Sequence, residues 1–301
     1  MLSIQNIVKQ YAEHRALNGV SMDIKEGSVF GLLGPNGAGK TSLIRIINQI
    51  TAPDEGEIFF RGEKLNPSHV ARIGYLPEER GLYKKMEIGE QVLYLAQLKG
   101  MSRQEANRRV KFWFEKLEIQ SWWNKKVEDL SKGMQQKVQF VATVLHEPEL
   151  LILDEPFSGF DPVNADIIKN EFLELNRKGT TIIFSTHRME SVEELCDSIA
   201  LIHQSQKILE GRVKDIKETY RNNTYKIEYR GRLPLNLLNA QDFTASAHLE
   251  TADSGEITVQ IANGKKANDL LQVLLPLVSI ERVQELVPTI NDIFIQKVTS
   301  H

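Results

Sequence analysis

The stretch VFGLLGPNGAGKTSLIRIINQI, residues 29–50, constrains the fold of this chain more than any other. VFGLL at 29–33 is continuously apolar, as in a strand buried on both faces of a parallel sheet. Gly34, Pro35, Asn36, Gly37, Ala38 and Gly39 follow. Lys40, Thr41 and Ser42 then open a segment with helical periodicity. Strand, glycine-rich loop and helix in this order fit the pattern G-x-x-x-x-G-K-[ST]. Glycines let successive backbone amides point inward at phosphate oxygens, and the helix N-terminus adds roughly half a positive charge. In such a loop Lys40 reaches the β- and γ-phosphates and the Thr41 hydroxyl ligands Mg²⁺, with Ser42 next along the helix.

A second apolar strand, LLIL at 150–153, delivers Asp154 and Glu155 at its carboxyl end, where ligands bind in open α/β sheets. Side chains of neighbours on a strand point to opposite sides, so these carboxylates are expected to divide two tasks. Asp154 can hold the Mg²⁺ shell, and Glu155 can accept a proton from an attacking water. TTIIFST at 180–186 reads as a further buried strand, separated from the last by a helical stretch. Alternating strands and helices predict a parallel α/β core. Short alternating runs over residues 1–28 predict antiparallel strands, and helical periodicity dominates from about 80 to 145. After about residue 215 the texture changes to TYKIEYRG, GEITVQIANG, ANDLLQVLLPLV, RVQEL and INDIFIQKV, a small α+β appendage. The expected domains are therefore 1–215 and 216–301.

With 41% hydrophobic residues in 301, the chain can bury a substantial core. A net charge of −3 gives no global signal for nucleic acid, and none is expected as a partner. The single cysteine, Cys196, cannot form an internal disulfide and sits in VEELCDSIALI, read as apolar helix. The first residues lack a secretory pattern, and no apolar run approaches the ~20 residues that span a bilayer. The expectation is a cytoplasmic protein whose membrane role comes through a partner.

The order GPNGAGKT, LSKGM at 130–134, LLILDEP, SGFD at 158–161 and STH at 185–187 resembles the ATPase subunit of ABC transporters over roughly residues 1–215. The resemblance implies a P-loop NTPase fold with a mixed-sheet core, an antiparallel β subdomain and a helical subdomain. It implies ATP and Mg²⁺, a second copy of the ATPase subunit and a separate transmembrane permease. LSKGM is then the signature that contacts the γ-phosphate held by the opposite subunit. Ser131 can also cap the following helix, and Gly133 lets the backbone approach an anion closely. Asp161 resembles the interface-crossing D-loop aspartate and, before Pro162, is equally a helix N-cap. His187 resembles the switch histidine that senses the γ-phosphate, and Tyr11 lies where the family stacks an aromatic ring on adenine. Tyr11 is otherwise a half-buried strand tyrosine.

The chain departs from the family pattern at three positions. Lys132 replaces a glycine, Met134 replaces the usual glutamine, and Glu78 replaces the glutamine that links the metal site to the helical subdomain. Glu78 adds a carboxylate able to ligand Mg²⁺. Leu82, Tyr83 and Met86 are the favoured contacts for the membrane subunit, while Trp113, Trp122 and Trp123 are read first as subdomain core. IGYLPEERGLY and the appended domain resemble the export branch, in particular Nat-type sodium-extrusion and antibiotic-resistance ATPases. The appendage is open to two readings, a dimer-stabilising or solubilising element and a regulatory one. The competing function, a non-transport ABC ATPase on ribosomes or DNA, calls for two cassettes or a long coiled-coil insertion, and neither pattern is present.

Overall fold

The computed structural model describes residues 1–299 except 80, 159, 160, 235–241, 252 and 263. It divides into two compact units, Met1–Arg212 and Val213–His301. In chain order the first unit contains β1 (Leu2–Tyr11), β2 (His14–Ile24), β3 (Val29–Leu33), α1 (Lys40–Ile47), β4 (Glu55–Phe60), β5 (Glu63–Lys64) and β6 (Ile73–Leu76). Three helices follow, α2 (Ile88–Leu98), α3 (Arg103–Lys116) and α4 (Lys132–Val144). The unit closes with β7 (Leu150–Asp154), α5 (Pro162–Arg177), β8 (Thr181–Thr186), α6 (Glu190–Leu195), β9 (Ser198–His203) and β10 (Gln206–Arg212).

The central sheet runs β10-β9-β3-β8-β7-β6. Its strands are parallel except β10, which pairs antiparallel with β9. Every residue of β3, β7 and β8 is buried, which is why these strands read as unbroken apolar runs rather than alternating ones. A separate antiparallel sheet, ordered β2-β1-β4-β5, carries the period-two pattern of the N-terminus. Leu2, Ile4, Ile7 and Leu17 from that sheet share one core with Leu43, Ile44, Ile46 and Ile47 of α1. Each such aliphatic burial contributes about 1.5–3 kcal/mol, so α1 is clamped between the two sheets.

In the helical region Trp113 is buried with its ring edge-on to Phe140 at 5.9 Å, and Trp123 meets Phe114 at 5.6 Å. Trp113 is a core residue, whereas Trp122 and Trp123, also expected there, are only partly buried. The Lys116 ammonium reaches Glu174 at 2.7 Å and Glu171 at 2.5 Å, tying α3 to α5. Cys196 is buried as expected, but its setting differs: the helix stops at Leu195 and SIALIH enters the sheet beside β3 as β9. A parallel partner overrides the helical continuation that the apolar run also allowed.

The second unit contains α7 (Val213–Thr219), β11 (Thr224–Arg230), β12 (Phe243–Glu250), β13 (Ser254–Ile261), α8 (Ala267–Leu274), β14 (Ser279–Leu286) and α9 (Ile290–Thr299). Its antiparallel sheet is ordered β12-β13-β11-β14. Ile227, Tyr229, Ile257 and Val259 on one face join Leu270 and Leu274 of α8. β12 was not anticipated: FTASAHLE carries Ala and Ser where a strand usually shows β-branched residues, and its pairing with β13 supplies the stability. Among the described residues no helix is long and apolar enough to cross a membrane.

Candidate functional site

Parallel pairing sets the ends of three strands in register. Leu33 lies opposite Thr186, and Asp154 lies opposite Ser185. The loops that leave β3, β7 and β8 therefore emerge at one edge of the sheet, the edge at which open α/β sheets bind ligands.

The first loop is shaped by its glycines. Gly34 has φ 149°, and a Cβ there would lie 2.1 Å from the Ile202 carbonyl oxygen. Gly39 has φ 113°, and a Cβ there would lie 2.2 Å from the Ala16 carbonyl oxygen. Only glycine fits either position. Gly39 also occupies the N-cap of α1 with no side-chain cap. The first amides of α1 therefore lack intrahelical partners and form the anion-binding end of a helix dipole. The Lys40 ammonium is buried and donates to the carbonyls of Gly34 at 2.6 Å and Pro35 at 3.1 Å. Burial lowers its pKa, opposed by Glu155, Asp154 and Glu78.

Asp154 and Glu155 were expected on opposite sides of a strand, but both line the same cleft as Lys40 and Thr41. The reason is local. β7 ends at Asp154, and Glu155 takes φ 47°, which swings its side chain off the strand alternation. Asp154 accepts from Ser185 Oγ at 2.8 Å, and its other oxygen lies 3.4 Å from Thr41 Oγ1. Burial raises the Asp154 pKa, partly offset by the Ser185 hydrogen bond. Glu155 is held by three donors from the end of β8: the His187 backbone amide at 2.8 Å, His187 Nδ1 at 2.6 Å and Thr186 Oγ1 at 3.1 Å.

The cleft has a volume of about 280 Å³ and is also lined by Tyr11, Asn36, Gly37, Ser42 and Glu78. Tyr11 is 38% exposed, with the Lys9 ammonium 5.4 Å from its ring centre. His14 and Ala16 line it too, two positions not picked out in the sequence. They follow the β1–β2 turn, in which Tyr11 pairs with His14, so cross-strand register puts them beside it. The donor set fits Mg²⁺: Thr41, Asp154 and Glu78 offer only oxygen to a hard cation. Among the described residues no group of three or more His, Cys, Asp or Glu is placed to hold a metal alone. Mg²⁺ characteristically takes one or two carboxylates plus substrate phosphates.

The signature segment lies on α4. Ser131 is its N-cap, and the side chain accepts from the Met134 amide at 3.3 Å. Val138, Val141 and Leu145 are fully buried, while Lys132 is exposed and Gly133 partly buried. Ser131 and Gly133 are absent from the cleft lining, as is Asp161. Asp161 caps α5, accepting from the Asn164 side-chain amide at 2.5 Å and from the Asn164 backbone amide at 3.0 Å, and these two hydrogen bonds, the first foremost, lower its pKa. Residues 159 and 160 of the SGFD segment lie outside the described residues. Gln136 of α4 donates to the Ser158 carbonyl, linking the two segments.

A larger cleft of about 800 Å³ opens among Arg109, Phe112, Trp113 and Glu147, next to residues 148–149 and 179–180, which precede β7 and β8. It is at the amino ends of those strands, and Arg109 is already paired with Glu147 at 2.9 Å. Lys40, Thr41, Asp154 and Glu155 do not line it. A third groove, of about 630 Å³, is lined by Ile50, Leu82, Leu95, Leu98 and Lys99. Ile50 is 60% exposed and Leu98 65% exposed.

Comparison with known proteins places these features in one family. Residues 17–158 match the ABC transporter family, and residues 211–298 match the C-terminal domain of DrrA1-3-like ATP-binding proteins. The chain is 42% identical over 298 residues to the uncharacterized ABC transporter ATP-binding protein YhaQ of Bacillus subtilis, covering 99% of this chain and 98% of that protein. It is 35% identical over 219 residues to the linearmycin resistance ATP-binding protein LnrL of the same organism, covering 72% and 70%. Among solved structures, an ATP-binding subunit of an ABC transporter superposes with a TM-score of 0.68 at 30% identity, covering 73% of this chain and 93% of that one.

Proposed function

This chain belongs to the ABC transporter ATP-binding subunits, a family of ATPases coupled to transport, and we propose that it drives a separate transmembrane exporter by binding and hydrolysing ATP as a homodimer. One observation carries this reading. Lys40, Thr41, Asp154 and Glu155, from two loops far apart in sequence, line a single cleft at the carboxyl edge of the sheet. Lys40 and the α1 amides bind the phosphates, and Tyr11 stacks on the base. Thr41, Asp154 and Glu78 hold Mg²⁺, which when bound neutralises charge on the β- and γ-phosphates. Glu155 takes the proton of the attacking water, and His187 keeps Glu155 in position through its backbone amide and Nδ1.

Ser131, Gly133 and Asp161 stand outside this cleft and serve the partner's nucleotide. Two copies then close head to tail on two ATP molecules, and hydrolysis lets them part. The export direction is supported by LnrL, whose name records linearmycin resistance, and by the DrrA-like C-terminal match. A drug-like or ionic cargo fits that company. On this reading the protein works on the cytoplasmic face of the membrane through its permease.

The groove beside Leu82, with Ile50 and Leu98 exposed on it, is the proposed seat of the permease. Ile50→Asp with Leu98→Asp is expected to abolish co-purification of a polytopic membrane protein and keep basal ATP hydrolysis within about twofold, since surface changes away from a site cost little. Retained co-purification overturns the docking assignment. Recovery of ribosomes or DNA with the unaltered chain overturns the transport reading.

Glu78→Gln tests the departure from the family pattern. Removing a charged oxygen donor weakens Mg²⁺ attraction. The Mg²⁺ concentration for half-maximal hydrolysis is expected to rise several-fold, and an unchanged titration excludes Glu78 from the metal shell.

A further inference from the structure

We propose that Thr186 is a positioning residue for hydrolysis: it holds Oε2 of Glu155 as the atom that accepts the proton of water. The proposal rests on Glu155 being the base. It follows from counting donors. A threonine hydroxyl has one proton to give and lone pairs to receive with. The Arg188 amide donates to Thr186 Oγ1 at 3.0 Å, and Glu155 Oε2 lies 3.1 Å from the same oxygen. Thr186 is 3% exposed, so water does not compete for that hydroxyl. Its single proton therefore goes to Oε2.

The other carboxylate oxygen is saturated. Oε1 receives the His187 amide at 2.8 Å and His187 Nδ1 at 2.6 Å, which occupy both of its lone-pair directions. Oε2 has one donor in this set and one open direction. The water's O–H bond breaks toward Oε2, and the water oxygen bonds to the γ-phosphorus. The bond from that phosphorus to the β,γ-bridging oxygen breaks with its electron pair, giving ADP and inorganic phosphate. The proton on Glu155 then passes to solvent.

The backbone leaves this job to β8. Glu155 lies beyond the last strand residue and sits in the left-handed region, which glutamate adopts at some cost in energy. Ser185 does the equivalent for Asp154 from the adjacent position. Consecutive hydroxyls on one strand thus hold consecutive carboxylates on the next. Loss of the Thr186 hydroxyl leaves the Lys40 loop intact and lets Oε2 turn away, which affects the chemical step rather than ATP binding.

The test compares Thr186→Val, Thr186→Ser and Glu155→Gln in the purified full chain, with kcat and KM for Mg-ATP read separately. Thr186→Val is expected to lower kcat about tenfold or more with KM within about twofold, and Thr186→Ser to restore kcat to within about threefold, because one donor to a charged acceptor is at stake. Thr186→Val with normal kcat overturns the assignment, as does a serine variant as slow as the valine one, which marks a packing role. Normal turnover in Glu155→Gln removes the base reading and this proposal with it. An inactive Glu155→Gln beside a fully active Thr186→Val removes the Thr186 role alone.

Discussion

Glu155→Gln lowers ATP turnover by about 10²–10⁴-fold as the expected result, the usual contribution of a positioned general base. The amide keeps the size of the side chain, and its one oxygen can still accept from the His187 amide, while its NH₂ takes the place of the carboxylate oxygen that faces Thr186. It has no lone pair basic enough to take the proton. Lys40, Thr41 and the α1 amides are untouched, so ATP affinity is retained. A pair of chains held by unhydrolysed ATP is then expected to persist, because in the proposed cycle cleavage is what releases it. Size-exclusion chromatography with Mg-ATP, beside a phosphate-release assay, reads both effects. Near-normal phosphate release sinks the base assignment, and release that is lost without a lasting dimer sinks the account of ATP as interfacial glue.

Lys40→Met separates binding from stability. The ammonium is buried, and burial is the leading cause of its lowered pKa. In the free protein it is held by two carbonyl oxygens of its own loop. A charge-assisted hydrogen bond contributes about 1.5–3 kcal/mol, so the loss of even one to phosphate weakens ATP binding by about 10–150-fold. Replacing a buried charge by an apolar chain of similar length relieves desolvation. The melting temperature of the nucleotide-free protein is expected to stay level or rise by about 2–4 °C. Binding of a fluorescent ATP analogue and differential scanning calorimetry check the two halves. Unchanged affinity overturns the phosphate role, and a sharp fall in melting temperature marks Lys40 as structural.

The sequence exposed most of the machinery because the chemistry there leaves little choice. Gly34 and Gly39 have no room for a Cβ, Lys40 follows them, and β3, β7 and β8 are so fully buried that they read as plain apolar runs. Less was legible where a long-range neighbour decided the outcome. SIALIH became a strand only because β3 lies beside it, and FTASAHLE became one because β13 does. The shared cleft of Asp154 and Glu155 was missed for a different reason. Strand alternation predicts opposite faces, and nothing in LLILDEP announces that the backbone turns left-handed at Glu155. Thr186 was visible in STH, yet its role needs the position of the Glu155 carboxylate.

That left-handed turn has a consequence for how such a protein drifts over generations. A glutamate there is held against the preference of its own backbone, and glycine would relax it. Changes that favour robustness alone therefore push toward losing this glutamate, the proposed base, with the nucleotide loop left whole. A lineage released from the need to turn over ATP would lose its motor first and keep its grip, ending as a nucleotide-held clamp.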